Sequence, residues 1–573
     1  MEMPRSGMIG TDWHARGTGI MAHNLLTESL IRFETTEGQQ TGSLPDVYAA
    51  LMADRVESFP ALRAHQEPAW HLFLAQLGAI ACHRAGLDAP PDDDAAWQDI
   101  IGCLTRAEFP NDEPWSLVVE DWSKPAFLQP PVPEGVTLKD DAVLAPDALD
   151  MLITSRNHDL KQEVAQAAYD DDWMFALVSL QTMEGYGGPK NYGIARMNGG
   201  SSSRVLLSLA PMSQTVGEPS VRYGRRLKRD LTQLLRRRES ILEQTAIPYR
   251  ETYGIALTWA VPWPEGEQLA LEDLDIWFIE VCRRVRLEDS ASRLFAKVGN
   301  SSAERVRAKH LNGNIADPWA PVHPVESKAL SITERGNFHY RRIVELTLSG
   351  EWQLPPLAEL GADELDTTPN WLLAFAAIAR GNTVTGGFKS RTIPLDGRTA
   401  RRLGAQRREL HQLATEQISE IKKIDDALAG AIGVFGRSGV YWRDVPKDRR
   451  KKEGERQRKR AQPYRDRLDV VADRAFFRAL WARFEAQDQG SSEAVEDARR
   501  AFLLPLIDAT RDLLEEGLAD IPCPSIHRPR AEARARRWFE AQIRSDRETK
   551  AGGSVGFPGL FDKRNDTEVA HAA

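Results

Sequence analysis

The chain has 573 residues, 42% of them hydrophobic and 27% charged, with a net charge of −9. That length exceeds what one hydrophobic core serves, so at least two domains are expected, and the acidic balance excludes a general nucleic-acid binder, leaving only local contacts open. No apolar run approaches the roughly 20 residues that span a bilayer, and Cys82, Cys103, Cys282 and Cys523 lie far apart without a C-x-x-C pair, which points away from a zinc knuckle or disulfide framework and toward a reducing cytoplasm.

Residues 1–23, rich in glycine and polar side chains, are expected to form a flexible extension, with Met21 as an alternative start and no charged and apolar leader pattern. Asn24 to Phe33 reads as a short amphipathic element. Ser43 with Asp46 three positions on predicts a capped helix. The run from Pro68 is apolar on nearly all faces and predicts a buried helix, in which His71 and His83 are core or edge residues rather than metal ligands. The prolines of DWSKPAFLQPPVP, Asp121 to Pro133, require extended chain. A helix is expected at PDALDML, then a loop carrying Arg156, Asn157, His158 and Lys161. Its Asn-His-Asp triplet invites a metal-nuclease reading but lacks further ligands at matching spacing.

Gln181 to Arg204 is the least regular stretch. Gly185, Gly187, Gly188, Gly193, Gly199 and Gly200 surround Lys190 and Arg196, an arrangement suited either to a surface loop or to a backbone-and-cation contact with phosphate or a groove. VLLSLAP after it reads as a strand. Val221 to Arg238 is a basic helix, either a solvated face or a nucleic-acid contact. ETYGIALTWAVPWP reads as a strand, and LEDLDIWFIEVCRRVRLE as a helix with Ile276, Ile279, Val281 and Val285 inward and Arg283, Arg284 and Arg286 opposite. KALSITERGNFHYRRIVELTL predicts a hairpin with Arg335 near its tip. ARGNTVTGGFKSRTIPLDG reads as a second glycine-and-cation loop, with Lys389 and Arg391 beyond Gly386 and Gly387.

From about Arg401 the pattern is helical. Leu403, Leu410, Leu413, Ile418, Ile421, Ile424 and Leu428 define one helix, and Tyr464 to Phe484, Ala494 to Leu518 with a kink at Pro505, and Ala531 to Ile543 define three more. The fold class expected is α+β: an irregular mixed α/β domain over 24–400, a four-helix bundle over 401–550 and a flexible tail over 551–573. The basic run DRRKKEGERQRKR, Asp448 to Arg460, is either a solvated connector or helical extension, or a grip on nucleic-acid backbone.

FLQPP at Phe127 to Pro131, GYGG at Gly185 to Gly188, WFIEVCRRVRL at Trp277 to Leu287, ADPWAPV at Ala316 to Val322 and TGGFKSR at Thr385 to Arg391 occur in an order that resembles CasA, the large subunit of type I-E CRISPR Cascade surveillance complexes, from about Asn24 to Ile543. The resemblance implies a non-catalytic, cytoplasmic protein without cofactor or membrane contact. Its implied partners are the guide RNA, other Cascade subunits, double-stranded target DNA and a helicase-nuclease recruited after target binding. Such a subunit reads the short PAM of the target from the minor groove, whose base pattern is degenerate, and starts duplex opening for guide pairing. By the same resemblance, Tyr186, Gly187 and Gly188 with Lys190 form the glycine loop. Lys389, Ser390, Arg391 and Thr392 form the wedge, and Arg335, then Lys328, the basic finger. Asn157, His158 and Lys161 contact RNA or a neighbouring subunit, and Lys451, Lys452, Arg458 and Arg460 hold DNA. Two departures stand out: the family has an amide at the wedge tip and a lysine finger, and arginine is not an equivalent donor. Two other classes remain open: a metal-dependent nuclease or RNA-processing enzyme using His158 with Asp159 and Asp170 to Asp172, and a purely structural scaffold subunit.

Overall fold

The computed structural model describes residues 23–149, 168–197, 199–200, 202–213, 220–290, 293–333, 335–361, 364, 370–380, 385–405, 407–547, 555–557 and 559–561. Residues 1–22, the loop with Asn157, His158 and Lys161, and most of the expected tail lie outside them.

Strands β1 (Ile31–Thr35) and β2 (Gly38–Gly42) form a hairpin that leads into α1 (Leu44–Met52). The expected cap is present: Ser43 Oγ accepts the Asp46 N–H at 3.3 Å, and the Asp46 carboxylate accepts the Ser43 N–H at 2.8 Å. Helix α2 (Glu67–Arg84) is buried along most of its length, with Trp70 stacked on Phe73 and set edge-on to Phe175. His71 donates its Nε2–H to the Asp230 carboxylate at 2.8 Å, and burial holds its pKa down at about 4, so it is a neutral core residue as expected. Helix α3 (Asp94–Gly102) stacks Trp97 on Tyr48 of α1 at 4.2 Å. Within PDALDML, Pro146–Ala148 forms a 3-10 turn, with its proline at a position where a helix can start, and Asp150 to Leu152 lie outside the described residues.

After β3 (Ala142–Val143) come α4 (Asp170–Met183), β4 (Leu206–Pro211), α5 (Tyr223–Gln244), β5 (Ile255–Leu257), β6 (Leu274–Ile279), β7 (Arg284–Ser290) and β8 (Arg293–Gly299). The stretch expected as a helix over Leu271 to Glu288 is therefore two strands: β6 pairs parallel with β5, and β7 pairs antiparallel with β8. A run buried on every side carries no periodicity that separates helix from strand. Arg284 and Arg286, expected on an outer face, are buried and donate to the carbonyls of Trp263 and Val119 at 2.6 and 2.9 Å.

Short strands β9 (Val322–His323) and β10 (Lys328–Ala329) pair with each other, and α6 (Tyr340–Thr347) follows. The hairpin expected about Arg335 does not form. Tyr340, Ile343, Val344 and Thr347 recur at helical spacing and bury one face of α6 in the second core, which outweighs their strand propensity. The second glycine-and-cation loop is also corrected: β11 (Asn370–Arg380) and β12 (Thr385–Asp396) are antiparallel strands, and β4 completes a sheet of order β12-β11-β4.

Helix α7 (Gly397–Ala405) leads to the bundle: α8 (Arg407–Gly436), α9 (Arg450–Asp488), α10 (Ser492–Asp520) and α11 (Arg528–Ile543). Helix α9 begins 14 residues before Tyr464, so most of the basic run is helical, and α10 continues through Pro505. Among the described residues no helix is long and apolar enough to cross a membrane. The β4-β11-β12 sheet divides two cores by its two-residue alternation. Leu206 and Ala376 join the core of α1, α2, α4 and α5, whereas Leu207, Leu209, Phe375 and Ala377 join that of the bundle.

Candidate nucleic-acid interface

Leaving α4, the chain makes a tight two-way excursion from Glu184 to Arg204 that returns to the sheet. Its stem is backbone against backbone: the Tyr186 N–H donates to the Gly200 carbonyl at 2.9 Å and the Ile194 N–H to the Glu184 carbonyl at 3.0 Å. Gly185 and Gly193 permit this approach, since a Cβ on Gly185 would sit 2.3 Å from the Ser202 carbonyl oxygen and one on Gly193 would sit 2.5 Å from the Gly185 carbonyl carbon. At the tip, Tyr186, Gly187, Pro189 and Lys190 are exposed. A turn closes it, with the Asn191 N–H on the Gly188 carbonyl at 3.0 Å and Gly188 at φ +121°, a conformation that disfavours any side chain.

Charged groups hold the stem from below. The Arg283 guanidinium donates to the Gly185 carbonyl at 3.0 Å and the Tyr192 carbonyl, and pairs with the buried Glu184 at 2.9 Å. Both oxygens of Glu280 accept the Ala195 N–H, at 2.7 and 2.8 Å. Burial pushes the Glu280 carboxyl up to about 7, against the opposing influence of that N–H and of Arg196, Arg204 and Arg305. Arg196 is part of this foundation: it is 2% exposed, lies 4.4 Å from the Phe278 ring centre and donates to the Phe278 carbonyl at 3.1 Å. It is therefore not available to steady phosphates, and Lys190 is the cation that remains at the tip.

The glycine segment approaches the other two segments singled out in the sequence through Gly313 and Ile378. Met197 meets Gly313, where a Cβ would lie 2.6 Å from the Met197 carbonyl carbon and 2.8 Å from Cβ of Ala329, the residue after Lys328. On the other side, the Ser203 N–H donates to the Ile378 carbonyl at 3.1 Å and Ile378 returns its N–H to Ser203 Oγ at 2.7 Å. Ile378 faces Phe388 across β12, so Lys389 lies two strands away, roughly 10 Å. Lys328 pairs with Glu326, and Arg335 is exposed in the connection to α6.

The residues expected as a wedge sit in mid-strand. Phe375 pairs with Arg391 and Ala374 with Thr392, while the connection between the two strands is 381–384, outside the described residues. Arg391 donates to both Asp473 oxygens at 2.6 and 2.8 Å and to the Phe338 carbonyl at 2.9 Å, which makes it a clamp between the sheet and α9. Ser390 and Thr392 face the opposite way, toward a cavity of about 470 Å³ also lined by Glu67, Tyr223, Arg226 and Phe388.

The basic helix α5 turns its cations inward: Arg229 pairs with Glu364 at 2.7 Å, Arg238 with Asp275 at 2.7 Å, and Arg226 donates to Ser208 at 3.0 Å. Neither reading offered for that helix holds for these three, because both required exposure. On α9, by contrast, Lys451, Lys452 and Arg458 are exposed and form no ion pair among the described residues. Arg460 is tied to the Gly436 carbonyl at 2.8 Å. Beside them lies a groove of about 560 Å³ lined by Trp442, Trp538, Lys451, Gly454 and Arg458. Sequence reasoning missed Trp442 and Gly454, although a glycine amid strong helix formers is a visible anomaly.

The carboxylates offered for a nuclease are engaged elsewhere. Asp171 pairs with Arg32 at 2.8 Å, Asp172 with Arg63 at 3.4 Å, and Asp170 with His23 at 3.2 Å, while His158 and Asp159 lie outside the described residues. Among the described residues no group of three or more His, Cys, Asp or Glu is placed to hold a metal.

Several of the motifs that carry the CasA resemblance are ties within the core. Gln129 of FLQPP accepts the Leu287 N–H at 2.6 Å and donates to the Leu117 carbonyl at 2.8 Å. Asp317 of ADPWAPV pairs with the buried Arg204.

Compared with known proteins, this architecture defines a class. No protein-family model matches the sequence, and no curated protein does. Among solved structures, the CRISPR-associated protein Cse1 from Acidimicrobium ferrooxidans matches with a TM-score of 0.55 at 15% identity, over 91% of this chain and 98% of that one. CasA of Thermus thermophilus matches at 0.54 with 15% identity, over 90% and 98%. Cse1 of Thermobifida fusca matches at 0.53 with 13% identity, over 91% and 97%. The chain has the Cse1/CasA fold, and the resemblance drawn from the motifs is borne out at the level of architecture.

Proposed function

We propose that this chain is a CasA protein, the large subunit of a type I-E CRISPR Cascade complex, which recognises the PAM of double-stranded target DNA from the minor groove, starts duplex opening for guide RNA pairing and helps recruit the helicase-nuclease. The observation that carries this reading is the Cse1 fold over nine-tenths of the chain, with the glycine tip exposed on an immobilised stem. A tip of backbone, a tyrosine ring and one lysine suits a narrow groove whose base code is degenerate, and tolerant recognition follows. Tyr186, Gly187, Gly188 and Lys190 would face the groove, with Lys328, Arg335 and Lys389 as neighbouring cations and Asn157, His158 and Lys161 toward guide RNA or an adjoining subunit. The role is non-catalytic, cytoplasmic and without cofactor.

The test is Gly187→Asp in the reconstituted complex. Gly187 lies outside the left-handed region, and a Cβ there would be 3.2 Å from Arg283 Nη2, so the Arg283 side chain must give by a few tenths of an ångström as a carboxylate enters the tip. Binding to PAM-containing duplex should fall at least tenfold while binding to a pre-opened target is spared; equal losses on both would overturn the assignment.

A further inference from the structure

Trp442 stands in the connector between α8 and α9 with 38% of its surface exposed. Its place is fixed by neighbours: Arg437 lies 5.3 Å from its ring centre, and Arg450 donates to the carbonyls of Val445 and Arg443 at 3.0 and 3.3 Å. Those two arginines are committed to shaping the groove. Lys451 and Arg458, on the adjoining turns of α9, are not. Among the described residues that line the groove none is acidic, and Tyr441 to Arg460 carries ten Lys or Arg against four Asp or Glu in a chain of net charge −9.

Gly454 is the second feature. A Cβ there would touch Trp442 Cη2 at 3.5 Å, so any longer side chain would enter the space beside the indole. Glycine within a helix costs about 1 kcal/mol relative to alanine, and here it leaves an aromatic surface open beneath a row of cations.

We propose that this groove holds an unpaired nucleotide of a single-stranded nucleic acid, the base stacked on Trp442 and the phosphates against Lys451 and Arg458. The proposal rests on the reading of the basic run as a DNA contact and narrows it to single strands. Bases stack on aromatic side chains without regard to sequence, and cations along the path hold the backbone. A duplex keeps its bases inside the stack and offers none to the indole. Lys452 and Lys459 continue the exposed row past the groove, which a strand engages and a free nucleotide does not.

The measurement is fluorescence anisotropy on the full chain with a labelled oligo-dT strand, a duplex of equal length, and ATP and a poly-glutamate peptide as competitors. The strand should bind more tightly than the duplex. Trp442→Ala should weaken strand binding about tenfold with Trp442→Phe restoring most of it, and Gly454→Leu should weaken it as much while the thermal midpoint holds or rises. Unchanged strand affinity in Trp442→Ala overturns the proposal, as do equal losses on strand and duplex, displacement by ATP at concentrations that match the strand's, or preferential displacement by the acidic peptide. If Gly454→Leu fails to fold, the Trp442 pair decides alone. Failure of the Gly187→Asp test would leave this result untouched, and the reverse holds as well.

Discussion

Two arginine-rich helices in this molecule use their charge in opposite ways. In α5, Arg229 pairs with Glu364 and Arg238 with Asp275 inside the protein, which ties the helix to the segments packed on it, while the half-exposed Arg225 and Lys228 pair with Asp54 and Asp92 at the surface. In the first turns of α9, Lys451, Lys452, Arg458 and Lys459 are exposed without an ion pair among the described residues. The two stretches look alike in sequence. What separates them is the presence of carboxylates more than 30 residues away in α5's neighbourhood, and the consequence is that one helix should govern stability and the other affinity.

The largest effect should follow from removing an acid beneath α5. Asp275→Ala strands Arg238, which is 3% exposed, and deletes the acceptor of the Trp277 N–H at 2.8 Å. Breaking a buried pair in this way costs about 3–5 kcal/mol, read as a fall in the urea midpoint followed by tryptophan fluorescence. If Asp275→Ala were as stable as wild type, α5 would be no different in kind from α9.

The buried charges also make the first region sensitive to pH. Glu280 titrates at about 7 in the folded chain rather than at the ordinary 4.5, because burial disfavours its ionised form. A carboxyl with a raised folded pKa contributes stability that is complete below the unfolded value and is lost as pH rises through the folded one. Glu280→Gln, which keeps an acceptor for Ala195, should therefore match wild type near pH 4.5 and become relatively more stable by on the order of 3 kcal/mol as pH passes 7. A difference between the two urea midpoints that does not change with pH would show that Glu280 stays ionised beneath the glycine stem.

The sequence carried much of the architecture. The capped α1, the buried α2, strand β4 and the bundle helices all follow from local signals that packing reinforces: Ser43 and Asp46, the all-round apolar run from Pro68, and leucines at helical spacing. It misled where burial is complete or where partners are remote. Trp277 to Leu287 has no exposed face to set a period, so strands β6 and β7 read as a helix. Arg196 and Arg391 looked like free cations because Phe278 and Asp473, which engage them, lie 82 residues on. The glycine stretch was legible as an irregular loop, but the division of labour within it was not: Gly185 and Gly193 pack backbone on backbone, while Gly187 and Gly188 form the open tip.

The smallest effect on stability, and the sharpest on binding, should come from α9. Lys451, Lys452 and Arg458 replaced together by glutamine remove no ion pair described in the structure, so the thermal midpoint should move by the equivalent of less than about 0.5 kcal/mol. Each cation that neutralises a duplex phosphate contributes about 0.9 to the slope of log affinity against log salt, and about 0.7 for a single strand. The triple variant should therefore flatten that slope by about two to three on any DNA sequence. Arg460→Gln, two residues beyond Arg458 and so on the other side of α9, supplies the internal control. Its guanidinium already donates to the Gly436 carbonyl, where a Cβ would come within 2.7 Å of it, so its loss should lower stability by about 1 kcal/mol and leave the salt slope nearly unchanged. An Arg460 variant that flattened the slope as much per charge as the other three would show that the basic run acts as one undivided patch, and that the contrast between spent and available cations stops at α5.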